Sequence, residues 1–461
     1  MLCPVSVRRR EWTSVLLNSA SASSASGVSS ARRHALYRNY LLAVLMVVLA
    51  SAYLDRVALG LLLQSIKIDL SLSDTQLGLL TGIAFALFYS TMGIPIARWA
   101  DRGNRVAIIA TTTALWSAAV ALCGLASTFP LLLLARMGAA VGEAGCLPPA
   151  HSLIADYFTR GERPKAVAIY LLGAPLASVV GYFVAGWLNE IYGWRMTFGI
   201  LGLPGLALAA LAWFTLKEPR RSQSPIQREG ALAPSAASAS APEQPSLREV
   251  CVALWANRTF RHLLFCFAIG TLFGYGIAQW KAPFLIRSYG MQTGKLGTWL
   301  ALIYGLGGLL GTYLGGELAA RHALNNERLQ LKTMALTYCC FSAVSVGIYL
   351  SRTPEMALAL MGLNAVGMAA VGAPMFATIQ TLIPSHMRAM SIALLYLVAN
   401  LVGLGLGPLL AGVLSDAFRS WAGEESLRYA LLALSPGYLW AAWHVWRASR
   451  TVDHDLKRAL G

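Results

Sequence analysis

Polar and apolar positions alternate along this chain on the scale of a whole helix. From residue 38 onward, apolar runs about 20 residues long, enough to cross a hydrocarbon core of about 30 Å, are separated by short polar breaks. Twelve such runs can be marked, at 38–66, 74–97, 106–126, 129–155, 166–187, 195–216, 259–286, 296–319, 333–350, 354–383, 389–414 and 427–446. They predict an all-α integral membrane protein with twelve transmembrane helices.

The widest polar interruption divides the runs six and six. Lys217 to Asn257, with SQSPIQREGALAPSAASASAPEQPS at its centre, is rich in Pro, Ser and Ala and poor in aromatics, the composition of a linker. Residues 1–37 place RRR at Arg8 to Arg10 ahead of the polar SASSASGVSSA. A signal peptide would put its apolar core directly behind the basic residues, so a flexible cytoplasmic tail is expected. The predicted organisation is a tail at 1–37, a six-helix bundle at 38–216, a cytoplasmic linker at 217–257, a second bundle at 258–448 and a tail at 449–461.

Composition agrees with a bilayer. Of 461 residues 56% are apolar and 13% charged, against about a quarter charged in soluble domains. The net charge of +16 raises the question of nucleic acid. However, the Lys and Arg residues gather on the N-terminal segment, the exits of even-numbered helices, the linker and the C-terminus. That is the positive-inside pattern, which predicts both termini in the cytoplasm of a cell membrane and assigns the charge to topology and anionic lipid rather than nucleic acid.

The two halves are related. LGLLTGIAFALFYSTMGIPIARWADR, from Leu77, and LGTWLALIYGLGGLLGTYLGGELAAR, from Leu296, align without a gap at both ends. The fourth and tenth helices share AAVG, and the fifth and eleventh a G-x-x-x-A-G spacing, in the same order and at nearly one offset. Two six-helix halves in parallel repeat form a transporter architecture, with the substrate site between them near mid-membrane.

Few charges interrupt the runs. At a helix centre each costs about 2.5 to 3.5 kcal/mol if it faces lipid, so Asp55, Arg56, Arg136 and Glu143 must face one another or water. At 1.5 Å per residue Asp55 lies about 25 Å along the first helix from Arg38. Arg136 lies about 10 Å and Glu143 about 21 Å below the outer surface on the fourth helix. Arg136 is therefore level with Asp55, with Glu143 about 6 to 10 Å deeper. Neighbours in a helix diverge by about 100°, so Asp55 and Arg56 need different partners. The four are expected to form a titrating network. Asp55 and Glu143 would carry protons, and Arg56 and Arg136 would compete for them and meet an anionic substrate. A fixed ion-pair lattice that only orients helices is the alternative.

Lys281, in QWKAPF on the seventh helix, is read as the only intramembrane charge of the second half, and could meet an anion across the cavity or snorkel to the interface. Tyr53 and Trp280 are grouped with these substrate-side residues. Phe85, Tyr89, Tyr170, Tyr275 and Tyr304 could line an acyl slot with Trp280, or serve only as packing and interfacial belt.

Enzymes and pumps find little support. There is no HExxH and no G-x-S-x-G, and GMQTGKL, from Gly290, is one residue short of a P-loop and lacks its Ser/Thr. The seven cysteines show neither CxxC nor a histidine partner at ligand spacing. No cofactor or metal is expected; a proton gradient would supply the energy.

ARWADRGNRV, Ala97 to Val106, resembles the loop motif of the major facilitator superfamily, with Asp101, Arg102 and Arg105 matching and Ala97 and Asn104 replacing glycines. The second-half copy keeps Gly316 and Arg321 but has Ala320 in place of the acid. YLDR at Tyr53 to Arg56, LSDTQLGLLTG, RMGAAVGEAG, PAHSLIADYF and YGWRMTF resemble the Spinster-like branch of that superfamily, with Ala52 where the branch usually has Asn. The resemblance implies the major facilitator fold, proton carriage by Asp55 and Glu143, and export of amphipathic lipids such as lysophospholipids by a monomer. Sugar-acid, other organic-anion or drug transport, and a non-transporting receptor, remain alternatives. Asp101, Arg102 and Arg105 would form a latch from the second helix to the mouth of the eleventh, stabilising the outward-facing state, or be a solvated basic loop.

Overall fold

The structure is a computed structural model, and it describes residues 9–159, 161–219, 247–322, 326–384 and 387–460. Among these, ten helical stretches are long and apolar enough to cross a membrane. Two are double: Arg163–Thr215 and Met390–Lys457 run 53 and 68 residues, about 80 and 100 Å at 1.5 Å per residue, more than twice a hydrocarbon core. The first reverses at Gly193 (φ 76°, ψ 169°), the second at Gly423 (φ 55°, ψ −128°). Positive φ is cheap only for glycine. Ten stretches therefore make twelve crossings.

In chain order these are α1 (Arg9–Leu70), α2 (Asp74–Arg102, interrupted at Gly82), α3 (Arg105–Cys123) and α4 (Phe129–Tyr157, interrupted after Glu143). Next come α5 (Arg163–Leu171, continuing from Gly173) and α6 (the part of Gly173–Thr215 after Gly193). The second half has α7 (Arg258–Tyr289, interrupted at Gln279 and Trp280), α8 (Thr293–His322), α9 (Glu327–Leu350) and α10 (Pro354–Leu382). It ends with α11 (Arg388–Val398, Ala399–Leu406, Gly407–Ala422) and α12 (Ser426–Leu434, Gly437–Leu460). Both ends and the linker meet one face, called terminal here; the α1–α2, α7–α8 and α11–α12 turns lie on the opposite, distal face.

Three boundaries differ from expectation. The first helix reaches back to Arg9, through an Ala/Ser stretch with no proline and with alanine's high helix propensity. The centre of the linker, 220–246, lies outside the described residues, but its end forms a short helix, Leu247–Ala256. Residues 449–460 continue α12, and Asp455 accepts from the Thr259 amide and hydroxyl at 2.8 and 2.7 Å, anchoring α12 to the start of α7.

The halves meet along α2 with α11 and α5 with α8. Their hydrogen bonds and ion pairs gather on the distal side. Glu190 accepts from the Gly294 amide at 2.6 Å, and the Asn189 amide donates to Thr293 at 3.2 Å. At Gly412 a Cβ would stand 2.3 Å from the Asp74 carbonyl, so glycine is what lets α11 touch α2.

Candidate functional site

Asp55 and Arg56 leave α1 in different directions and find different partners. Arg136 Nη1 donates to Asp55 Oδ2 at 2.6 Å, with both residues buried. This is the pairing that depth arithmetic predicts. Arg56 Nε lies 2.8 Å from Glu143 Oε1, outside hydrogen-bond alignment. Phe85 on α2 sits between the pairs, its ring 4.6 Å from the Arg56 guanidinium and 5.2 Å from that of Arg136, and Tyr89 stacks on it at 5.8 Å. Tyr53 lies 5.2 Å from the Arg56 guanidinium. The aromatic faces supply negative quadrupole where carboxylates leave off. Asp55 Oδ1, Arg136 Nε, Arg56 Nη2 and Glu143 Oε2 are buried without a hydrogen-bond partner in the protein. Both pairs therefore retain unused bonding capacity.

Helix α4 presents Glu143 at a break. Its first segment ends at Glu143 and its second begins at Leu147, with Pro148 and Pro149 in the first turn, where a missing N–H costs nothing. A Cβ at Gly142 would meet the Trp116 amide nitrogen at 2.5 Å, and one at Gly145 the Thr112 side chain at 2.4 Å. The GEAG sequence is thus a close approach of α4 to α3 that fixes where the glutamate emerges.

The second half contributes a cavity of about 490 Å³. Lys281, at the start of the second segment of α7, lines it with Tyr275, Tyr304, Asn364, Met368 and Tyr438. Its ammonium donates to the Tyr304 hydroxyl at 2.6 Å, and among the described residues no carboxylate pairs with it. Lys281 is 8% exposed, so it does not snorkel. Asn364 Nδ2 is also buried without a partner. The wall is otherwise largely apolar and aromatic, and Lys281 is the one cation among the residues that line it.

Several expected residues lie elsewhere. Trp280 is fully buried and its indole N–H donates to the Pro408 carbonyl at 3.0 Å. It joins α7 to α11 instead of facing the cavity, because a buried indole needs an acceptor. Tyr170 is likewise buried, edge-on to His151. Arg105 does not reach toward α11. Its backbone amide donates to Glu218 at 2.7 Å, and its guanidinium pairs with Glu218 and Asp156 and donates to the Ser152 hydroxyl at 2.8 Å. It ties α3 to the ends of α4 and α6 within the first half, since a fully buried guanidinium is held by the nearest carboxylates. Asp101 and Arg102 stand exposed at the end of α2.

A cross-half seal that sequence reasoning missed lies on the distal side. Arg287 of α7 donates to both oxygens of Asp74 at 2.7 and 2.8 Å and to Gln64 at 2.6 Å. Lys67 and the Ser415 hydroxyl also bond to Asp74. Asp416 of α11 accepts from the amides of Asp74 and Thr75 at 3.0 and 2.7 Å, capping α2 from the other half. The local signal was LSDTQLG, which forms the capping box between Ser73 and Gln76. It announces a helix start but not a partner some 340 residues away.

The model of the Major Facilitator Superfamily matches residues 45–408. The chain belongs to this superfamily. This major facilitator protein is 31% identical over 419 residues to an MFS-type efflux pump of Mycolicibacterium smegmatis, across 90% of this chain and 93% of that one. It is 24% identical to a hexuronate transporter of Bacillus subtilis, across 80% and 86%. Among solved structures it is similar, at TM-score 0.79 and 30% identity over 91% of this chain and 98% of the other, to a bacterial homologue of the human lysosomal transporter Spinster in an inward-facing, unoccupied conformation. These relatives make it a Spinster-like membrane transporter of organic molecules and not an enzyme.

Proposed function

We propose that the chain is a proton-coupled secondary transporter that moves an amphipathic, lysolipid-like organic anion by alternating access. The observation that carries this reading is Lys281: a buried ammonium with no carboxylate partner among the described residues, lining a largely apolar cavity of about 490 Å³. A head group would take Lys281 and the unused donors of Arg56 and Arg136, while a chain lay along Met368 and the tyrosines. Drawing either arginine toward the substrate loosens its carboxylate, and Asp55 or Glu143 is then free to take a proton, so that anion and proton load together. With both termini in the cytoplasm, the distal seal closes the outside, and Asp101 and Arg102 remain candidates for a latch that closes the inside.

The relatives named for hexuronate and galactonate favour a second reading, a sugar acid. A polyhydroxylated substrate needs a hydrogen-bond partner for almost every oxygen, and the predominantly apolar wall argues for the amphipath.

Flux into liposomes containing the purified protein tests both. The double variant Asp55→Asn/Glu143→Gln is expected to lose uptake driven by a pH gradient while retaining substrate exchange; gradient-driven uptake at the normal rate would remove the proton-carrier role. Lysophospholipids and long-chain acids are expected to raise the melting temperature, with the gain reduced in Lys281→Gln. Selective stabilisation by hexuronate would decide for the sugar acid.

A further inference from the structure

Outside the transport path, a second cavity of about 380 Å³ lies on the terminal side of the second half, between the linker helix, α7 and α12. Its walls follow helical spacing. Arg258, Arg261, His262 and Phe265 stand at i, i+3, i+4 and i+7 on α7, and His444, Arg447 and Thr451 at i, i+3 and i+7 on α12, each set on one face. Three guanidinium groups thus border one small space. Among the described residues none of them pairs with a carboxylate, and no acidic residue lines the space.

The histidines have a defined state. His262 Nδ1 and His444 Nδ1 are 3.1 Å apart, so one of the two nitrogens accepts and its ring is the neutral Nε2–H tautomer. At most one of the pair is a cation. The arginines are always charged. Arg261 lies 5.7 Å from the Trp255 ring, and Arg447 the same distance from that of Trp443, so two guanidiniums rest on aromatic faces. Trp255 on the linker helix, Phe265 on α7 and Trp443 on α12 are exposed beside this space.

We infer that this cavity binds the phosphate of an anionic glycerophospholipid from the leaflet on the terminal side. Guanidinium forks match phosphate oxygens two at a time, and basic pockets between transmembrane helices at this depth suit anionic head groups. The exposed aromatics extend the site onto the lipid-facing surface, where acyl chains would lie. A free anion makes no use of that extension, which is why the lipid is favoured over inorganic phosphate. Occupancy would bridge Trp255 of the linker helix to α7 and α12, joining the second half to the segment that leads from the first.

Native mass spectrometry of the purified full chain tests this with phosphatidylglycerol, phosphatidylcholine and inorganic phosphate as separate probes. Phosphatidylglycerol is expected to stay bound at concentrations about tenfold below those needed for phosphatidylcholine. The preference should vanish in Arg258→Gln/Arg261→Gln/Arg447→Gln and persist in Lys165→Gln/Lys332→Gln, which removes exposed cations from the same face. Equal retention of the two lipids by the unaltered chain would overturn the inference without any variant. Loss of the preference in the lysine control would also overturn it, reducing the effect to a diffuse basic belt. Competition by millimolar inorganic phosphate as effective as the lipid would mark a free-anion site instead.

Discussion

At the residue scale the protein contains two kinds of ion pair with different consequences. Asp55 and Arg136 are both buried, so removing one partner strands the other; breaking such a pair costs about 3 to 5 kcal/mol, whereas replacing both with apolar or neutral groups is often near neutral. Asp55→Asn is therefore expected to lower the melting temperature in detergent more than Asp55→Asn/Arg136→Met does; a double variant less stable than the single would show that the pair itself stabilises the fold. Arg38 and Glu162, on the terminal face, are the contrast. Arg38 and Thr159 bond to Glu162 and hold its carboxyl down to about 2. Because the folded value lies below the unfolded one of about 4.3, the pair contributes fully above about pH 4.3 and fades as pH falls toward 2. Glu162→Gln should leave the pH profile of transport unchanged between about pH 5 and 8, while Asp55→Asn removes one limb of it. A changed profile in Glu162→Gln would place proton-linked chemistry at the terminal face.

At the element scale, the position of Glu143 depends on how closely α4 approaches α3. A Cβ at Gly145 would meet Thr112 Cγ2 at 2.4 Å and Cβ and Oγ1 at 2.6 Å, so the whole side chain stands in its way. Overpacking of this kind costs about 1 to 3 kcal/mol. Gly145→Ala is expected to reach the membrane, melt lower and lose coupled transport, because the helix shift moves the glutamate away from Arg56. Normal coupling in this variant, measured as proton flux per substrate, would show that the site tolerates the displacement. The residue types in RMGAAVGEAG were legible as a motif; that its glycines border α3 was not, because close approach belongs to a pair of helices.

At the scale of the whole molecule, the distal seal sets which face is closed. Asp74 collects Arg287, Lys67 and Ser415, and Asp416 caps α2 across the interface. Asp74→Asn leaves Arg287 and Lys67 without their counter-charge and should shift the population toward distal opening. Electron–electron distances between spin labels on the α1–α2 and α7–α8 turns would record this as a lengthened component; an unchanged distribution would mean that the Asp416 cap and the α5–α8 contacts suffice to hold the face shut. Helix count, duplication and the depth of Asp55 against Arg136 were all legible in advance, because lipid forces apolar length and helical rise fixes depth. Trp280 turned away from the cavity because proximity in sequence to a charge does not give the direction of a side chain.

The sequence by itself determined that this is a twelve-helix duplicated membrane protein whose four first-half charges face one another or water, since the cost of charge in hydrocarbon keeps them from lipid. Only the tertiary structure decided that Arg56 takes Glu143, that Lys281 faces a cavity rather than the interface, and that Asp74 joins the halves. Those outcomes depend on which helix faces lie against each other, and packing between segments hundreds of residues apart leaves no local mark in either one.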